Sequence, residues 1–257
     1  MKSNYKKLPQ YSLVLVAAIL LGACSTAPVQ KGDVIDEPYF APDDVLVPGV
    51  AYLSEEEVPD PWEGFNRTMY RFNYRFDKYV FLPVVNVYQA ILPDFAETGV
   101  HNFFNNVREI TTLINSALQL SAQKSFITTG RLIVNTTVGL LGLIDVATAI
   151  DLPRQQEDFG QTLGHWGVGT GPYLVLPIYG PSNVRDTTGL LTDTMVMSAI
   201  DPLDLQDSRT RQIAYVTLNA TDTRAHVSFR YYETGSPFEY EFVRMLYTTK
   251  RQMDIEK

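Results

Sequence analysis

Cysteine is nearly absent: the 257 residues hold one, Cys24, which forbids an intramolecular disulfide and any cysteine-rich zinc or iron-sulfur site. Histidine is scarce as well. His101, His165 and His226 stand far apart, with no His-Glu-x-x-His and no ligand-spaced cluster, so no metal or cofactor is expected. Basic residues are in deficit, 21 Lys+Arg against 29 Asp+Glu for a formal charge of -8, which removes the basic footprint that nucleic-acid phosphates require. A Gly-x-Ser-x-Gly elbow and a phosphate-loop lysine are both missing. What is present is a chain 45% apolar and 12% aromatic, enough to build a core and too apolar for disorder throughout. Its length fits one domain plus extras or two small ones.

The acidity is unevenly placed. Residues 1–23 carry Lys2, Lys6 and Lys7 ahead of an apolar run from Tyr11 to Leu21, too short to span a bilayer, and end on Gly22-Ala23: a secretory signal. Leu21-Gly22-Ala23-Cys24 resembles a bacterial lipobox, in which cleavage precedes the cysteine and the cysteine is acylated. An ordinary signal peptide with a chance cysteine is the alternative. Several acyl chains, at about 0.8 kcal/mol per buried methylene, make a stable anchor. Ser25 after the cysteine resembles lipoproteins sorted to the outer membrane. Residues 24–59 then set Lys31 alone against Asp33, Asp36, Glu37, Asp43, Asp44, Glu55, Glu56 and Glu57, with five prolines interspersed, and read as a flexible tether spanning roughly 30–35 Å as a coil.

Asp60-Pro61-Trp62-Glu63 combines an Asp N-cap, Pro at the first helical position and Glu three residues after the cap, predicting a helix to about Val80. Phe65, Met69, Phe72, Phe76 and Tyr79 form one stripe on it, and Arg67, Arg71, Arg75 and Lys78 another. Such a helix suits the headgroup zone of a membrane; a soluble core helix with a solvated basic face is the alternative. Phe103, Val107, Ile110, Ile114 and Leu118, and then Phe126, Ile133 and Val134, continue helical spacing. No alternating strand pattern or internal repeat is evident. From Leu132 to Ile150 the chain is nearly apolar, but Asp145 would cost about 2.5–3.5 kcal/mol at the centre of a membrane helix. A bent pair of helical pieces, dipping into one leaflet or packing in a core, is expected there rather than a span.

The segment from Gly160 to Pro181 is dense in glycine, which prevents one regular helix from running through it. Gly167 and Gly169 match two positions of a dinucleotide fingerprint, yet the third falls on Pro172 and no strand-helix-strand unit surrounds them. The pair Glu157-Asp158 and the lone His165 are loop residues on this reading, and enzymatic activity has no support.

Asp60-Pro61-Trp62-Glu63-Gly64-Phe65-Asn66-Arg67, Phe72-Asn73, Arg131 with Asn135-Thr136, Gly139, Gly142 and Asp145, and the stretch from Asp158 to Asp186 together resemble the MlaA (VacJ) family of outer-membrane lipoproteins, in order over about residues 60–193. The carboxyl end is similar more loosely, through Thr223-Arg224-Ala225, Ser236-Pro237-Phe238 and Val243-Arg244. The long acidic tether, and Gln119-Leu120-Ser121 where the family often has Gln-Gly, depart from the pattern.

The resemblance implies an all-α fold: a ring-shaped bundle of amphipathic helices lying in one membrane leaflet, residues 60–257, behind the lipidated tether. It implies a non-enzymatic function, drawing phospholipid from the outer leaflet of the outer membrane through an amphipathic channel to a soluble periplasmic carrier (MlaC-like), with an outer-membrane porin trimer as partner. A porin-bound scaffold and, less well supported, a lipid hydrolase are the rivals. Cys24 would be the lipid attachment site. Arg67, Arg71, Phe72, Asn73, Arg75, Phe76 and Lys78 would face headgroups. Gly164, Gly167, Gly169, Gly171 and Pro172 would shape and hinge a hairpin beside the channel, and Arg185 and Asp186 would line it or form a structural pair.

Overall fold

The computed structural model describes residues 58–233 and 235–256. The signal, Cys24 and the acidic tether up to residue 57 lie outside the described residues.

The expected first helix is present as α1 (Glu63–Phe76), and it does not stop near Val80. A π-helical turn (Asp77–Phe81) carries it into α2 (Leu82–Ile91), with Pro83 directly after the π turn. Asp60 does not act as the N-cap: Trp62 occupies that position without a side-chain cap bond. The Asp60 carboxylate instead accepts from Asn66 Nδ2 at 2.7 Å, Arg244 Nη1 at 3.2 Å and the Tyr240 hydroxyl. Partners brought by the fold outcompete the local cap.

Next come α3 (Asp94–Leu118), α4 (Ala122–Thr137) and the short α5 (Val146–Ala149). The apolar run from Leu132 is thus broken, as expected, into two helical pieces. Between them Leu140 (φ 53°), Leu141 (φ 61°) and Gly142 (φ 91°) take the left-handed backbone, which is costly for leucine. Asp145 caps α5 by accepting from the Thr148 amide. Among the described residues no helix is long and apolar enough to cross a membrane.

A two-stranded antiparallel hairpin departs from the all-helical expectation. It follows α6 (Phe159–His165) and pairs β1 (Tyr173–Leu176) with β2 (Gly180–Asn183), Leu176 opposite Gly180. β2 reads Gly-Pro-Ser-Asn, with no strand propensity of its own. The reason it forms lies in α1. Asn66 accepts the Val175 amide at 2.8 Å and donates to the Tyr173 carbonyl at 3.1 Å. Asn73, two turns on, accepts the Ile178 amide at 2.7 Å and donates to the Leu176 carbonyl at 2.9 Å. Two carboxamides thus supply the ladder bonds a third strand would give.

The chain closes with α7 (Val184–Ile200), α8 (Arg209–Ala225) and α9 (Glu239–Glu256). Asn183 and Ser208 cap α7 and α8 with their side chains. Helices α3 and α4 pack together, as do α6 and α7; α9 lies against α6 and the hairpin, and α8 against α2 and α3. The mostly helical class is the one expected.

Candidate functional site

Many of the apolar residues of these helices face outward. In α1 the buried positions are Asn66, Tyr70 and Asn73, followed by Asp77 in the π turn, while Phe65, Phe72 and Tyr79 are exposed. In α4 Thr128, Arg131 and Asn135 are buried, whereas Phe126 is 79% exposed and Ile133 58%. Helix α3 buries Phe104 and Val107 but also Asn106, Glu109, Thr112 and Asn115, and leaves Leu118 exposed. The turn between α4 and α5 presents Val138, Leu140, Leu141, Leu143 and Ile144 to the outside. A water-soluble protein leaves single apolar residues exposed, but contiguous apolar faces mark contact with another apolar phase or a partner.

Much of the interior is polar, beside an apolar cluster of Tyr70, Tyr173, Val175, Tyr240 and Val243. Arg131, 2% exposed, donates to Glu109 at 2.7 Å, to Asp145 at 3.1 Å, to the Thr148 hydroxyl and to the Leu152 carbonyl. Burial pushes the Glu109 carboxyl above its ordinary range, against the pull of Arg131. Burial also raises Asp145, yet Thr148, Asn135 and Arg131 together hold it down at about 2. Around Arg251 a second network forms: its guanidinium grips Asp158 bidentately at 2.8 and 2.9 Å and reaches Asp186 at 2.8 Å. Asp186 accepts further from Arg185, Asn183 and Tyr247. Although burial would raise both acids, these cations and donors keep Asp158 and Asp186 below the usual carboxylate range.

Beside this second network lies a cleft of 360 Å³ between the hairpin, α7 and α9. Leu176, Tyr179 and Leu190 give it an apolar wall; Asp193, Lys250 and Arg251 give it charge of both signs. Burial pushes Asp193 up despite hydrogen bonds from the Phe159 amide and Asn115. The volume sits at the small end of the range of about 300–1,000 Å³ for ligand pockets, sized for a polar head rather than two acyl chains.

The sequence-predicted residues separate on this frame. Arg71, Phe72, Arg75 and Lys78 are exposed on α1 and the π turn, with Phe72 stacked on Phe76 at 5.9 Å. Arg67 is tied inward: it pairs with Glu63 at 2.6 Å and with Glu241, and lies over the Tyr240 ring at 4.4 Å. Asn73 does not face outward at all, because its amide is consumed by the hairpin. Gly164 sits inside α6, where an added Cβ would come within 2.6 Å of Ile255 Cδ1. Gly167 and Gly169 lie in the exposed link before β1 with open space around them; Gly171 and Pro172 lead into the strand, and the Pro172 carbonyl accepts the Val184 amide. Arg185 and Asp186 pair at 3.0 Å, both buried, within the Arg251 network. The inward amide stripe, Asn66 and Asn73, went unread; its signal is two asparagines seven residues apart on a helix otherwise rich in rings and cations.

The fold also brings together two histidines that stand far apart in the sequence. His101 of α3 and His226, which follows α8, stack with ring centroids 3.7 Å apart over the fully buried Asp222.

Comparison with known proteins follows the same lines. The family model for MlaA lipoprotein matches residues 58–254. A Rickettsia prowazekii (strain Madrid E) protein is 42% identical over 148 residues, 57% of this chain and 57% of its own length. The "Intermembrane phospholipid transport system lipoprotein MlaA" of Escherichia coli (strain K12) is 41% identical over 138 residues, 52% of this chain and 55% of the relative. The Shigella flexneri protein of the same name is 40% identical over 140 residues, 53% and 56% of the two chains. The chain thus spans a little over half the length of the relatives it matches. A solved structure described as "Structural basis for maintenance of bacterial outer membrane lipid asymmetry" superposes with a TM-score of 0.63 at 32% identity, covering 76% of this chain and 98% of that one. The chain belongs to the MlaA lipoprotein family.

Proposed function

We propose that this protein is an outer-membrane lipoprotein that draws phospholipid from the outer leaflet and passes it to a soluble periplasmic carrier, maintaining lipid asymmetry. The observation that carries the reading is the inverted distribution of polarity. Apolar faces on α1, α4 and the turn beyond α4 look outward, while ion pairs and amides take up much of the interior beside a small apolar core. An exterior of this kind suits immersion in one leaflet, and no described helix crosses it. The interior suits a polar head that must leave the interface without its water. The names of the E. coli and Shigella relatives point the same way.

The physical need is large. Two acyl chains of about 30 methylenes, at roughly 0.8 kcal/mol each, hold a phospholipid in its bilayer, so passage to a carrier requires a path that keeps the chains from water. The cleft beside Arg251 would take the headgroup, with Lys250 and Asp193 offering the two signs that a zwitterionic head presents. Arg71, Arg75 and Lys78 would meet headgroup phosphates at the rim. The lipid at Cys24, and a porin trimer as membrane partner, complete the proposal.

Outer-leaflet phospholipid measured in a deletion strain, with and without the complementing gene, tests it. Accumulation that complementation reverses is expected; no accumulation sinks the transport reading. Native mass spectrometry of the detergent-purified protein should show intact bound phospholipid, whereas lysophospholipid released from pure lipid would favour a hydrolase.

A further inference from the structure

We infer that His101, Asp222 and His226 form a binding site for a divalent transition ion of the zinc class, which clasps α8 to α3. The argument begins with Asp222, whose side chain is fully buried. Among the described residues no lysine or arginine makes a contact ion pair with it, Arg108 acting only from a distance: its close partners are two imidazoles and the Tyr88 hydroxyl, which donates to Oδ1 at 3.3 Å. A buried carboxylate is ordinarily paired with a cation or bound to a metal.

The separations suit the second case, with the stacked imidazoles, 3.7 Å apart, turning toward one point as the ion enters. His101 Nδ1 lies 3.0 Å from Asp222 Oδ2, and His226 Nδ1 lies 3.5 Å from Asp222 Oδ1; without an ion His226 Nδ1 donates to the Asp222 backbone carbonyl at 2.9 Å, a bond the metal would replace. Ligand atoms held about 2.0–2.1 Å from a tetrahedral zinc are about 3.4 Å from one another, so these separations bracket the requirement. The three ligand atoms all lie within 4.8 Å of one another. Two imidazoles and a carboxylate are the donor set that zinc and cobalt favour, and water would complete the tetrahedron.

An outer shell is already in place. The far ring nitrogen of His226 stands 4.0 Å from the Glu97 carboxylate, and Tyr88 holds Asp222; partners of this kind orient metal ligands and raise their basicity. The site has an entry path, since both imidazoles keep about a third of their surface exposed, 28% for His101 and 33% for His226. A plain hydrogen-bonded clasp would use the same contacts, and the ion decides between them. Arg108 supports the same seam further along α3, donating to Asn219 and Thr223 of α8 at 2.7 Å.

The test uses the full chain without a polyhistidine tag, purified in detergent, stripped with chelator and titrated with cobalt chloride. One cobalt per chain is expected, with the visible bands of tetrahedral coordination, displaced by zinc. Tyr88→Phe should weaken binding about tenfold, as loss of an outer partner does. His226→Gln, at a partly exposed position, should keep its helical circular dichroism and lose the bands; His165→Gln should keep both. Wild-type protein without cobalt bands overturns the site, as does a His226→Gln variant that binds like the wild type. If His101→Ala does not fold, the wild-type spectrum and His226→Gln still decide.

Discussion

Arg131 donates its Nε to the Glu109 carboxylate at 2.7 Å with both side chains 2% exposed, so α3 and α4 are joined by an ion pair where a water-soluble bundle would place leucine. Removing one member strands the other. Arg131→Met should lower stability by about 3–5 kcal/mol in detergent denaturation, and the double Arg131→Met, Glu109→Leu should recover part of that loss. A single variant no worse than the double would show that the pair is not holding the helices.

Asn73 carries the hairpin turn on one side chain. Asn73→Ala leaves the Ile178 amide and the Leu176 carbonyl without their partner, at a cost of about 1–3 kcal/mol. Amide exchange at Ile178 should quicken while α4 stays protected. Unchanged exchange at Ile178 would mean that the strands hold themselves.

These two sites show what could be read from the residues. Arg131, Asn135, Gly139, Gly142 and Asp145 were legible as a group, and the structure joins Arg131, Asn135 and Asp145 in one network while the glycines form the turn beyond α4. The helical period of Phe126, Ile133 and Val134 was legible too, but not its direction. Periodicity says which residues share a face, whereas the solvent says which face turns inward, and in an apolar phase the usual answer is reversed. The hairpin was hidden for another reason: its strands take their bonds from Asn66 and Asn73, more than a hundred residues earlier in the chain. Long-range pairing of that kind leaves no local pattern, and the His101–His226 stack is hidden in the same way.

The outward face of α4 supplies a third prediction. Phe126→Asp with Ile133→Asp should leave helix content in detergent unchanged, because neither side chain is buried. Each apolar side chain contributes about 1.5–3 kcal/mol when fully buried, so losing both should weaken cosedimentation with phospholipid vesicles at least about tenfold. Unfolding with vesicle binding intact would place these residues in a core.

Acid should loosen the Arg251 network and the Arg131 network together. Asp158, Asp186 and Asp145 have folded-state pKa values below their ordinary ones, so the stability they add is complete above about pH 4 and is lost as pH falls through the folded values. For Asp145, moving from 3.8 to about 2, that is at most about 2 kcal/mol, and about 1 kcal/mol after solvent screening at a partly exposed site. Glu109 and Asp193, raised by burial, act in the opposite sense and are relieved by acid. Arg251→Met removes the cation from Asp158 and one of the two beside Asp186, which keeps Arg185, so its stability should fall less steeply from pH 5 to pH 2. A slope equal to that of the wild type would separate Asp158 and Asp186 from acid unfolding.

The glycines divide into those that hold the fold and those free to serve lipid passage. At Gly142 the backbone is left-handed, and an added Cβ would lie 2.5 Å from Asn106 Cβ. Conformational strain of about 1–2 kcal/mol and overpacking of about 1–3 kcal/mol both apply, so Gly142→Ala should destabilise by several kcal/mol. Gly169 has open space and no left-handed backbone, and Gly169→Ala should stay within about 0.5 kcal/mol of the wild type. Gly167 is intermediate, since its φ of +86° costs an alanine about 1–2 kcal/mol although nothing crowds it. If the exposed link before β1 must bend during transport, Gly167→Ala and Gly169→Ala will raise outer-leaflet phospholipid in complemented cells by more than their stability loss explains, and Gly142→Ala will lose protein and transport together. Normal asymmetry with both link variants would leave that segment a passive connection between α6 and the hairpin.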